Sequence, residues 1–313
     1  MWSRLSLFAG NSNIDLANKV CSQLRICPGK ALIGRYCDGE VRVEICENVR
    51  GRDTYVLQST CPPVNENLME LLVVIDALKR ASARRVNVII PYYGYGRQDQ
   101  KDKPRVSIAA KVVADLLSIA GADHVITIDL HADQIQGFFR IPVDHLFGTT
   151  ALIQALRGSL SGDEIVVAPD AGGAERARFF AQRLRLDLAL TDYREGNGND
   201  PKIVGNVKDR KVIILDDMID TGETVLRTAH AASAALAGSV EVCVVHPVLS
   251  GPRVVERIEE SVIERLLVTD TVPLSQKARN CAKIEVVSIA PMLAEVIKRV
   301  HFEESISSIF KEY

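Results

Sequence analysis

Val212-Ile213-Ile214-Leu215-Asp216-Asp217-Met218-Ile219-Asp220-Thr221-Gly222-Glu223-Thr224 passes from apolar to acidic to hydroxyl-rich in one short stretch. The unbroken apolar run 212–215 reads as a strand buried on both faces, and the polar turn behind it reads as the start of a helix. Asp216, Asp217 and Asp220 then place carboxylates where sugar hydroxyls or a hydrated divalent ion can be held. Thr221, Gly222, Glu223 and Thr224 present backbone N–H groups and two hydroxyls to a phosphate, aided by the positive end of the helix dipole. A strand that ends in chemistry and turns into a helix is the working unit of a parallel α/β fold.

Outward from this segment the same alternation continues. Short apolar runs at Leu5-Phe8, Thr54-Leu57, Val86-Ile90, Val125-Ile128, Ile165-Val167 and Val242-Val245 predict further strands. Amphipathic stretches near 13–25, 65–82, 107–120, 173–185 and 223–236 predict helices between them. Cys37 to Ile45 alternates about Asp38-Gly39 and predicts a hairpin. The chain divides near Phe147, giving domains 1–147 and 148–313, each with strands that end in polar groups (Asp129-Leu130-His131; Asp216-Asp217). Two α/β domains with largely parallel sheets, related by duplication, are therefore expected, with the C-terminal tail packing back at a subunit interface.

Composition narrows the function classes. Lys plus Arg number 38 against 40 Asp plus Glu, for a net charge of -2. That balance gives no broad attraction to nucleic acid or to a membrane, so phosphate binding has to be local. No apolar run approaches the roughly 20 residues of a membrane span, and a cytoplasmic location is expected. Seven scattered Cys with no Cys-x-x-Cys pair point to neither a disulfide framework nor a zinc site.

Further motifs carry chemistry of their own. Arg97-Gln98-Asp99 follows a strand and a Gly-x-Gly turn, where an arginine fork suits a phosphate and glutamine suits a base or ribose edge. Alone, such a surface pair is more often merely solvated. His131 stands between Asp129 and Asp133 at a strand end, and an isolated histidine there is as a rule a hydrogen-bonded structural residue. Asp170-Ala171-Gly172-Gly173 leaves a strand and opens a helix, allowing close backbone approach to an anion; for a lone Gly-Gly a plain tight turn is the simpler reading. No Gly-x4-Gly-Lys-Ser/Thr run exists, which excludes a P-loop kinase.

Taken together these blocks resemble the phosphoribosyl diphosphate (PRPP) synthase, or ribose-phosphate pyrophosphokinase, family. The resemblance extends through Phe8-Ala9-Gly10-Asn11-Ser12-Asn13, Asn48-Val49-Arg50-Gly51, Gln58-Ser59-Thr60, Asn67-Leu68-Met69-Glu70, Pro91-Tyr92-Tyr93-Gly94-Tyr95-Gly96 and Leu249-Ser250-Gly251-Pro252, and covers nearly the whole chain. It implies phosphoribosyltransferase-type domains and transfer of the diphosphoryl group of ATP to ribose 5-phosphate with Mg²⁺. It further implies that Tyr36, Asp38, Glu40, Arg97, Gln98 and Asp99 hold ATP, with the first three reaching a neighbouring subunit's site. Asp216, Asp217, Asp220 and the segment Thr221 to Thr224 would hold ribose 5-phosphate, Asp170 to Gly173 the diphosphate, and His131 and Asp170 the Mg²⁺. Arg50, Arg105, Ser305, Ser307, Ser308 and Phe310 resemble an intersubunit site for ADP or phosphate in a homo-oligomer, expected to be a hexamer.

Two departures bear on rate. Where the family has a loop Lys and Arg that stabilise charge moving to the AMP leaving group, an ungapped alignment puts Tyr193 and Glu195, with Arg194 between them. A one-residue shift of register would return Arg194 to the arginine role. Glu223 stands where the family has Gly: it either crowds and repels a phosphate or faces solvent as a first-turn helix residue. The expected function is PRPP synthesis, weakened by these changes. The alternative is a nucleotide-binding paralogue that assembles with an active PRPP synthase and tunes it. Phosphoribosyl transfer to a base leaves the ATP-side motifs unexplained.

Overall fold

The apolar runs become strands of two α/β units in the computed structural model, which describes residues 4–193, 201–307 and 309. The chain divides between Phe147 and Gly148, but Thr271–Pro273 and the described residues from Ile289 to Ile309 cluster with the first unit. The second unit is thus not the uninterrupted stretch 148–313 that the sequence suggests.

In the first unit the order is β1 (Leu5–Ala9), α1 (Ile14–Leu24), β2 (Ala31–Arg35), β3 (Val41–Ile45), β4 (Asp53–Leu57), α2 (Val64–Arg80), β5 (Arg85–Ile90), α3 (Ala109–Ala120), β6 (His124–Ile128), a 3-10 turn at Asp133–Phe138 and β7 (Val143–Leu146). The late helix α9 (Ala290–His301) completes it. Strands β1-β4-β5-β6-β7 form a parallel sheet in that order, and β2 and β3 pair as the antiparallel hairpin. Because side chains alternate across a strand, Phe8, Val56, Val88, Ile90 and Val125 face one way, where Leu71, Ile75 and Leu78 of α2 and Val113 and Leu117 of α3 cover them. Tyr55 points to the other face, and its hydroxyl donates to the Ile297 carbonyl of α9 at 3.4 Å. Beside it Asp53, buried, receives a two-pronged bond from Arg85 (2.9 and 2.8 Å) and lies 3.0 Å from His301 Nδ1 of α9.

The second unit runs α4 (Thr149–Leu156), β8 (Ile165–Ala168), α5 (Ala174–Leu184), β9 (Asp187–Asp192), β10 (Lys202–Val204), β11 (Lys211–Ile219), α6 (Glu223–Ala234), β12 (Ser239–Pro247), α7 (Val254–Glu260), β13 (Arg265–Thr269), α8 (Gln276–Asn280) and β14 (Ile284–Val287). Its strand order is β10-β9-β8-β11-β12-β13-β14, parallel except for the β9/β10 pair. The chain therefore moves outward from β8 to β9 and β10, then returns to the far side of β8 with β11. This reversal puts a topological switch point at the carboxyl ends of β8 and β11, the place where open α/β sheets take ligands.

β11 is longer than its apolar run. Its pairing with β12 continues through Asp216↔Val244 to Ile219↔Pro247, so Asp216 and Asp217 lie within the strand and not in the turn beyond it. The described cysteines are all free thiols, and no described helix is long and apolar enough to cross a membrane.

Candidate active site

The turn from β11 into α6 is shaped by one left-handed residue. Gly222 has φ 78° and precedes the first helical residue, Glu223, whose own backbone is not among the left-handed residues. The Gly that the turn requires is therefore present, and Glu223 occupies a position any residue can adopt. No side chain caps α6, and the Thr224 and Val225 amides have no acceptor among the described residues. Donors left without an acceptor at a helix start, beside the switch point, suit a phosphate.

Glu223 turns aside from these donors. Its Oε2 accepts from Arg257 Nη2 of α7 at 2.9 Å, and Arg257 Nη1 donates to the Thr221 carbonyl at 3.2 Å. Of the two sequence readings, the outward-facing first-turn residue is the one seen. The turn after β12 supports the same loop: Ser250 Oγ bonds Asp220, and a Cβ on Gly251 would lie 2.8 Å from Thr221 Cα, so only glycine permits that approach.

Carboxylates gather beneath the loop. The Asp217 amide donates to Asp216 Oδ1 at 2.9 Å, and Arg176 of α5 approaches Asp217 at 3.7 Å. Burial, followed by the neighbouring Asp217 carboxyl, raises the Asp216 pKa well above the ordinary carboxylate value, with Arg176 opposing. At the end of β8, Asp170 Oδ1 accepts from the Gly173 amide at 2.8 Å, which takes up one of the N–H groups expected to meet an anion. The Gly172 and Gly173 positions remain close to Asp170, where a Cβ would stand 3.3 and 3.6 Å from its Oδ1.

Tyr193, the last described residue before 201, is folded onto α6. Its hydroxyl donates to the Thr224 carbonyl at 3.2 Å and lies 3.2 Å from Thr228 Oγ1, while Arg227 stacks over its ring at 5.1 Å. Burial raises its phenol, Thr228 and Arg227 opposing. It serves as an anchor at the edge of the site, unlike the charged group it was aligned with. Arg194 and Glu195 lie outside the described residues, as do Ser308 and Phe310.

In the first unit the structure brings the Arg97 turn and the His131 turn together. Gly94 is held by Thr60 Oγ1 at 2.6 Å, and a Cβ on Gly96 would meet that of His131 at 3.7 Å. The His131 turn leaves β6 through Asp129, left-handed at φ 35°, and the Leu130 amide donates to His145 Nε2 at 2.9 Å. With Nε2 accepting, the neutral His145 ring carries its proton on Nδ1, on the side of the Asp133 carboxylate (3.6 Å). Gln98 is partly engaged by Ser107 at 3.5 Å, and Asp99 follows on the same turn.

The hairpin tip behaves differently. Tyr36, Asp38 and Glu40 are exposed, and their recorded interactions stay inside the hairpin: the Glu40 amide to Asp38 at 3.0 Å and Arg42 over the Tyr36 ring at 5.9 Å. Arg50 and Arg105 are also exposed, Arg105 with φ 67°. In the tail the Ser305 carbonyl accepts from Arg299 at 3.0 Å and its hydroxyl from the Ser307 amide at 3.2 Å.

Comparison with known proteins decides what this arrangement belongs to. Residues 5–121 match the family model of the N-terminal domain of ribose phosphate pyrophosphokinase, and residues 197–311 that of the phosphoribosyl synthetase-associated domain. A ribose-phosphate pyrophosphokinase of Ralstonia nicotianae is 49% identical over 98% of this chain and 98% of its own. The chain belongs to the ribose-phosphate pyrophosphokinase family. The Bordetella pertussis member is likewise 49% identical, over 98% of this chain and its full length. The crystal structure of phosphoribosylpyrophosphate synthetase from Mycobacterium smegmatis superposes with a TM-score of 0.91 at 39% identity, covering 96% and 99% of the two chains.

Several residues that shape this family member's site give no sign in the sequence. Arg257 and His145 look like ordinary helix or strand residues, and only their partners reveal their positions. The blocks around Asn11, Gln58 and Glu70 carry the resemblance, but nothing in their spacing announces a shared contact. In the fold, the buried Glu70 carboxylate accepts from Asn11 and from Gln58 Nε2 (2.7 to 2.8 Å), while Gln58 Oε1 accepts from Ser12. That network is why Gly10 is glycine, since a Cβ there would sit 2.2 Å from Gln58 Oε1.

Proposed function

We propose that the chain makes PRPP and AMP from ATP and ribose 5-phosphate. The observation that carries this reading is the switch-point loop of the second unit, where α6 amides with no acceptor among the described residues follow the Asp216/Asp217 pair. The amides of Thr224 and Val225, with the Thr221 and Thr224 hydroxyls, receive the 5-phosphate, and Asp216, Asp217 and Asp220 orient the ribose hydroxyls. Asp170 to Gly173 flank the diphosphate. Arg97 and Gln98 bind ATP from the first unit, and the exposed Tyr36, Asp38 and Glu40 reach the ATP of a neighbouring copy.

In the reaction the anomeric oxygen forms a bond to the β-phosphorus of ATP, the bond from that phosphorus to the α–β bridging oxygen breaks, and the anomeric proton passes to solvent. Among the described residues no three His, Cys, Asp or Glu form a closed metal cage. A sparse set of carboxylate and imidazole donors nevertheless fits Mg²⁺, which keeps several waters and binds largely through substrate phosphates. Asp170 and His131 would hold it, and it would supply charge neutralisation on the transferring phosphoryl oxygens.

Assay of AMP and PRPP from ATP, ribose 5-phosphate and Mg²⁺ tests the proposal. Stoichiometric formation of both is expected; nucleotide binding with no PRPP at any enzyme concentration overturns it. The same assay with ADP or phosphate added reads the effector site proposed around Arg50, Arg105 and Ser305.

A further inference from the structure

Glu223 and Arg257 are 34 positions apart in the chain and meet beside the phosphate loop. A single guanidinium holds both the Glu223 carboxylate (2.9 Å) and the Thr221 carbonyl (3.2 Å), tying the first turn of α6 to the backbone that precedes it. Both side chains keep substantial solvent contact, 60% for Glu223 and 39% for Arg257, so the pair itself adds little to stability. Its effect has to be sought in what the carboxylate would do if released. Glu223 is on the first turn of α6, next to the Thr224 and Val225 amides that have no acceptor in the chain. An untethered carboxylate there is an anion within reach of an anion site: it can cap those amides itself, and it repels a phosphate dianion.

We infer that Arg257 is a positioning residue that draws Glu223 off the α6 amides and so keeps the 5-phosphate subsite open. The inference rests on reading this loop as the ribose 5-phosphate site. It also explains how the loop accommodates a glutamate beside a phosphate subsite: the charge is neutralised and its direction fixed by a cation from α7.

The test is the KM for ribose 5-phosphate in the full-length protein, with the variants Arg257→Ala, Arg257→Lys, Glu223→Gly, Glu223→Gln/Arg257→Ala and Glu223→Gly/Arg257→Ala. Arg257→Ala should raise that KM about fivefold with kcat within about twofold, the scale of one solvent-screened charge near a dianion. Arg257→Lys should recover part of the loss. Both double variants should return KM to within about twofold of the Glu223→Gly protein, because the harm comes from the freed carboxylate. A purely structural role for Arg257 predicts no rescue by removing Glu223. An unchanged KM in Arg257→Ala, or an equal loss in the Glu223→Gly background, overturns the inference while leaving PRPP synthesis in place. Failure of the unmodified protein to bind ribose 5-phosphate by calorimetry overturns both.

Discussion

Arg97 is an exposed guanidinium on a turn packed against His131, and a fork of donors there is worth most when it meets a charged phosphate. Charge-assisted hydrogen bonds of this sort contribute about 1.5–3 kcal/mol, so Arg97→Ala should weaken Mg-ATP binding by that amount in calorimetry. Undiminished affinity would put the ATP phosphates elsewhere. Tyr193 offers a contrasting case, since its bonds are to Thr224 and Thr228 within the fold. Tyr193→Phe keeps the ring under Arg227 and removes only the hydroxyl; a loss of about 0.5–1.5 kcal/mol in denaturant unfolding is expected. No change in the midpoint would mean that water replaces both contacts equally well. Residue identity alone suggests a missing cation at Tyr193 and leaves Glu223 as either an intrusive anion or a solvent-facing first-turn residue. Neither partner, Thr228 or Arg257, is near enough in sequence to be read from it.

At the level of elements, α9 is fastened to the first sheet through Asp53. Burial would raise this carboxyl, but the bond and charge of Arg85, with His301 adding, outweigh it and hold the pKa below the ordinary value of about 3.9. A depressed carboxyl binds fewer protons when folded. The stabilisation is therefore present above the unfolded value and is lost as pH falls through the folded one. Unfolding followed from neutral pH down through that window should show the loss in the unmodified protein and a flatter profile in Asp53→Asn, which should also be less stable by about 2–3 kcal/mol at neutral pH. The figure is below that for a fully enclosed pair because Arg85 keeps solvent contact. Matching acid profiles would show that Asp53 is not the linked group.

The elements also show what a sequence can carry. Mostly apolar runs in 54–57, 86–90 and 125–128, each carrying one polar residue (Thr54, Asn87, Thr127), mark doubly covered parallel strands, because such strands bury both faces. The runs understate β11, where main-chain pairing to β12 continues past the point at which side chains turn polar. Apolarity reports side-chain burial and is silent about a ladder that extends into a site. The amphipathic face of α9 likewise announces that it packs, without saying on which sheet.

On the scale of the whole molecule, charge is nearly balanced and apolar residues make up 47% of the chain. On α3, Val112, Leu116 and Ile119 leave an apolar stripe in solvent, spaced to lie along one helix face. A neighbouring copy would cover such a surface, in keeping with the homo-oligomer proposed from the exposed hairpin tip. Sedimentation at micromolar concentration should find the assembled species; a monomer alone would remove the intersubunit roles of Asp38, Glu40 and Arg105.

The return of α9 to the first unit sets an order of events during synthesis. A ribosome delivers the first sheet early, yet the helix that receives the Tyr55 hydroxyl and faces Asp53 emerges only after nearly all of the second unit. At ~5–20 residues per second, the nascent first half waits for several seconds or more with one sheet face covered only in part, by α1. Vectorial, half-by-half maturation is closed to this chain. Its earliest-made portion is the last to be finished.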